Sequence, residues 1–119
     1  MDTMRLKSIQ DPRQTLYLLE SFACDTLGVS SNATRVRNLG ELPAALRRHV
    51  GQSQGQHYVW FAWRDLDLMY LATGSMSLER SRERGRAVLE VRVYDPNGQL
   101  SEFGTWVRTG MDRWERCDW

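Results

Sequence analysis

A chain of 119 residues, 41% hydrophobic and 26% charged, has the size of one domain and is long enough to bury a core without disulfides or metals as staples. Its 16 basic and 15 acidic residues leave a net charge of +1, so no overall field draws it to nucleic acid or to an anionic membrane. The start, MDTMRLKSIQ, lacks the apolar run of a secretion signal, and no stretch approaches the ~20 apolar residues of a membrane helix.

The first helix has both ends marked. Asp11 can cap it, Pro12 suits its first position, and Leu16, Leu19, Ala23 and Leu27 recur at spacings of three and four. Gly28 then suits the left-handed position that ends a helix, with Val29 folding back. The spacing predicts a helix over 12–27. Cys24 lies beside its apolar stripe, where a buried and inert thiol is expected. After the polar SSNATRVRN, which has room for a short edge strand at 34–38, the stretch GELPAALRRHVG reads as a second helix. Pro43 is tolerated in its first turn, Leu42, Leu46 and Val50 share a face, and Gly51 ends it. QSQGQ separates this helical half from the second half of the chain.

From His57 the period becomes two. HYVWFAWR and DLMYLAT flank a short turn and form one hairpin. RAVLEVRVYD alternates cleanly, with Ala87, Leu89, Val91 and Val93 on one side and Val88, Glu90, Arg92 and Tyr94 on the other. DPNG is a turn signal, QLSEFGTWVRT returns, and RWERCDW has the make-up of a last strand. The expected fold is α+β, one domain over 1–119. Two N-terminal helices pack on one face of a four- to five-stranded antiparallel meander.

Catalytic chemistry finds little to stand on. His49 and His57 are the only histidines, and they lack the spacing of metal ligands. Cys24 and Cys117 form no C-x-x-C pair. No glycine-rich phosphate loop or nucleophile elbow occurs. The expectation is no cofactor, no metal and reduced thiols in a cytoplasmic, bacterial-type protein. An enzyme or small-molecule site of unplaced class is the remote alternative.

ERSRERGR offers Arg80, Arg82, Arg84 and Arg86 as a phosphate-binding loop for nucleic acid. Glu79 and Glu83 within it, and the near-neutral chain, favour a solvated connector instead. The rings carry the stronger signal. Two helices can cover one face of a sheet, and the side bearing Leu89 and Val91 has first claim on them. Alternation assigns Arg92 and Tyr94 to the uncovered face. It also assigns Trp106 and Arg108 there from the next strand, and Trp60 or Trp63 from the first. Trp60, Arg92, Tyr94, Trp106 and Arg108 form the expected contact set, since Trp, Tyr and Arg are enriched where proteins bind one another. The reading is a small non-enzymatic protein-binding module of adaptor, inhibitor, immunity or regulatory type. Its partner is another protein or a second copy of itself.

Overall fold

In the computed structural model, which describes residues 11–52 and 58–117, the expected cap opens helix α1, Pro12–Asp25. Asp11 Oδ1 accepts from the Arg13 backbone N–H at 3.0 Å. That bond, with the Arg13 guanidinium, holds the Asp11 carboxyl below its ordinary pKa. The helix closes as Val29 N–H donates back to Ala23 O at 3.3 Å. MDTMRLKSIQ, the break from Ser53 to Gln56, His57 and the closing Asp118 and Trp119 lie outside the described residues.

Strand β1, Thr34–Val36, a 3-10 turn at Leu39–Glu41 and helix α2, Ala44–Gln52, follow. Then come β2, Val59–Asp65, β3, Leu68–Met76, helix α3, Leu78–Arg84, β4, Val88–Tyr94, β5, Leu100–Gly110, and β6, Arg113–Cys117. The strands make one six-stranded antiparallel sheet in chain order, β1 to β6. The meander is therefore as expected in kind, with one strand more.

The helices do not share a face. α1 lays Leu19, Phe22 and Ala23 on Phe61, Trp63, Ala72, Leu89 and Trp106. α2 lays Leu42, Leu46 and Val50 on Val36, Ala62, Leu71 and Tyr94, which alternation places on the opposite face. The cause is visible in β2, whose two sides are both apolar: Phe61 and Trp63 need one cover, Trp60 and Ala62 another. Hydrophobic burial scales with area removed from water, so a helix goes to each side.

The arginine-rich connector expected around 79–86 is itself helical. Ser77 caps α3, accepting from the Arg80 N–H at 3.4 Å, and Gly85 ends it at φ 65°. Glu79 in its first turn and Arg82 and Arg84 in its last complement the helix dipole. The helix carries no apolar stripe, so periodicity passes over it. Cys24 also departs from expectation and is exposed. It lies one residue, about 100° of rotation, beyond the stripe formed by Leu19 and Ala23.

α2 is fastened to the far end of the sheet. The His49 ring stacks on Tyr94 with centroids 3.8 Å apart, and its Nε2–H donates to Gly98 O at 2.8 Å. Gly98, at φ 81°, lies so close beneath the helix that a Cβ there would stand 2.5 Å from Ala45 O. Only glycine meets both conditions.

Candidate functional site

Register sets four neighbouring rows across the middle of the α2 face. Ala62, Leu71 and Tyr94 form the row under α2. Val88 and Val107 form another at the opposite end, both buried. α3 adjoins that row: Ser81 Oγ accepts from Val88 N–H at 3.0 Å, and Arg80 reaches Thr105 Oγ1 at 3.5 Å. Between them lie two rows that neither helix covers. One reads Trp60, Thr73, Arg92, Phe103; the next reads Ser75, Glu90, Thr105, Cys117.

This band is the open part of the face. Phe103 is 60% exposed although it lies within a strand. Arg92, directly across from it, is exposed and makes no ion pair among the described residues. Trp60 ends the row half-buried, with its inner side packed on the α2 cluster. Thr73 is fully buried between Trp60 and Arg92, and its Oγ1 makes no hydrogen bond among the described residues. Tyr58, Glu90, Arg92, Phe103, Thr105 and Cys117 line a shallow cleft of about 290 Å³ over the band.

The structure keeps two of the five expected contact residues together, Trp60 and Arg92. Tyr94 shares their face but is buried beneath His49. Trp106 is 4% exposed on the α1 face, its ring 4.8 Å from Phe22. Arg108 is on that face as well, donating to Gly110 O at 3.2 Å with its guanidinium 5.8 Å from the Trp114 ring. The single open face carrying Tyr94, Trp106 and Arg108 is therefore not formed.

The reason is one residue. Leaving the DPNG turn, Tyr94 pairs with Leu100, but Val93 pairs with Glu102, so Ser101 is a bulge. Ser101 Oγ donates to Val93 O at 3.1 Å and seals the irregularity. Without the bulge, Trp106 would pair with Val88 and face the same way as Glu90 and Arg92. With it, Trp106 pairs with Leu89 and faces α1. A one-residue slip in register exchanges the two faces of a strand. The same slip turns Phe103 outward.

Three of the four arginines of the alternative site lie on α3, and Arg86 follows it. On α3, Arg82 is rotated by roughly 200° from Arg80. Arg80 bonds Thr105, and Arg86 donates to Thr109 O at 2.9 Å. Among the described residues no group of His, Cys, Asp and Glu could hold a metal ion, and no helix is long and apolar enough to cross a membrane.

The chain matches none of the protein-family models, curated proteins or solved structures with which it was compared.

Proposed function

We propose that this chain is a small non-enzymatic binding module that makes stoichiometric contact with another protein through the open band between α2 and α3. The observation that carries the reading is Phe103, exposed in mid-strand beside Arg92, which has no ion-pair partner among the described residues. An isolated sheet residue of this size gains nothing from water, and a ring beside an arginine is the composition of a binding hot spot. Trp60 and Tyr58 border the band, and Glu90 adds an exposed carboxylate beside Arg92. The helices on either side give it walls, which suits an inserted loop or strand better than a flat surface. Adaptor, inhibitor, immunity and regulatory proteins all act by such contact, and a cytoplasmic setting keeps both cysteines reduced.

Site-specific crosslinking tests the reading. A photoreactive phenylalanine analogue at Phe103, in the native cells, should capture one protein in defined ratio. The same analogue at Tyr17, on α1, should not. Arg92→Glu should abolish capture from position 103 while leaving the melting temperature unchanged. Equal capture from both positions, or capture indifferent to Arg92→Glu, refutes the assignment.

A further inference from the structure

Among the described residues the sheet ends in β6, whose outer edge carries no strand. Such an edge is a template for pairing, and proteins that leave one open normally guard it with charge. The charges on β6 are arranged in a pattern. Asp112-Arg113-Trp114-Glu115-Arg116 reads acid, base, ring, acid, base. Reversed, it reads base, acid, ring, base, acid. The stretch is complementary to itself in antiparallel order at each charged position.

The backbone fits the same register. Arg108 N–H donates to Ala87 O, on the β4 side, at 2.9 Å. In an antiparallel sheet the N–H and C=O of a residue point the same way, and the direction alternates along the strand. Arg108 therefore turns its backbone to β4, so its pairing with Trp114 is of the non-hydrogen-bonded kind. Trp114 consequently presents its own N–H and C=O to the open edge, and Arg116 does the same two residues on. Arg113 and Glu115 spend theirs on β5 and place their side chains on the α2 face. Both side chains are exposed and make no ion pair among the described residues.

We infer that β6 pairs antiparallel with β6 of a second copy of this chain, about a two-fold axis through Trp114. Trp114 exchanges two backbone hydrogen bonds with the second copy's Trp114. Arg113 stands opposite the second copy's Glu115, and the symmetry repeats that ion pair on the other side of the axis. Arg116 stays on its own sheet, donating to Phe103 O at 2.7 Å and standing 3.9 Å from Glu102, so the two Arg113–Glu115 pairs carry the charge recognition. The result is one continuous sheet of twelve strands, joined by backbone hydrogen bonds at the two-fold axis and by an Arg113–Glu115 pair on each side of it. The opposite edge is β1, three residues long, which offers too little to pair. This contact uses an edge and stands independently of the open band proposed above.

The test is a charge exchange read by sedimentation. At a concentration on the order of 100 µM, suited to a small reversible interface, the wild-type chain should have twice the monomer mass. Arg113→Glu sets acid against acid, and Glu115→Arg sets base against base, so each variant alone should be monomeric. Mixed in equal amounts they are complementary again and should restore the dimer, as should the double variant R113E/E115R. Circular dichroism of each should match the wild type, since both positions are exposed. A wild type that stays monomeric overturns the inference. So do single variants that remain dimeric, which would place the contact elsewhere on the surface, and a mixture that fails to reassociate.

Discussion

Gly98→Ala should destabilise the protein by more than its backbone angle alone explains. At φ 81° an added Cβ costs about 1–2 kcal/mol, the ordinary penalty of left-handed backbone for a residue with a side chain. The stiffer unfolded chain returns about 0.4–1 kcal/mol of that. The surroundings add more. The new methyl would stand 2.5 Å from Ala45 O and 3.0 Å from Ala45 Cβ, so α2 must lift. Lifting α2 strains packing by roughly 1–3 kcal/mol and loosens the His49–Gly98 hydrogen bond, about 1 kcal/mol. The expected total is about 2–5 kcal/mol, or roughly 10–20 °C of melting temperature for a domain of this size.

Two glycines provide the internal reference. Gly28 and Gly85 also have positive φ, 67° and 65°, yet a Cβ at either would meet nothing within 4 Å. Gly28→Ala and Gly85→Ala therefore report the angle alone, about 1 kcal/mol each. Urea unfolding of the three variants, compared by midpoint at constant slope, separates the contact from the angle. If Gly98→Ala loses no more than the two references, α2 does not rest on the β4–β5 turn, and the covering of Tyr94 falls with it.

Two further outcomes rest on burial and backbone geometry. Trp106→Ala should cost about 3–5 kcal/mol and Phe103→Ala less than about 0.5 kcal/mol, both read from denaturant curves; similar losses would contradict the register that puts these rings on opposite faces. Leu66 stands at φ 58° and 87% exposed at the tip of the β2–β3 hairpin. Leu66→Gly relieves left-handed strain of about 1–2 kcal/mol and adds roughly 0.5–1 kcal/mol of chain entropy, so the urea midpoint should rise; a fall would show that the leucine is held by contacts.

The readable parts of the fold were those with redundant signals. α1 has a cap, a proline, a stripe and a stop; it starts at the expected Pro12 and ends at Asp25, two residues before the expected Leu27. In AVLEVRVY the alternation is strict, and Leu89 and Val91 are buried while Glu90 and Arg92 are not. The failures each trace to a single physical cause. α3 is a short helix specified by its ends, with no apolar stripe for periodicity to detect. The face that α2 covers was hidden because β2 is apolar on both sides, which gives alternation nothing to separate. The contact set went wrong at Ser101, since a bulge has no residue signature here and yet decides the facing of Phe103, Trp106 and Arg108. Trp60 and Arg92, whose placement does not pass through that bulge, stayed together on the open band.

The His49–Gly98 hydrogen bond spans 49 positions of the chain, and this sets an order of events. During synthesis α2 leaves the ribosome before β4, the DPNG turn and β5 exist. Its apolar residues Leu42, Leu46 and Val50 have at first only β1 to touch. The β2–β3, β4–β5 and β5–β6 hairpins close over short loops, and the β3–β4 pair over the single short helix α3, so none needs such a wait. The second half of the chain thus assembles as a ladder of neighbours, and α2 docks when the turn carrying Gly98 arrives to receive it. Until then its greasy side is open to whatever else the cell holds, so a chain stalled before residue 98 is the form most exposed to aggregation and to chaperones.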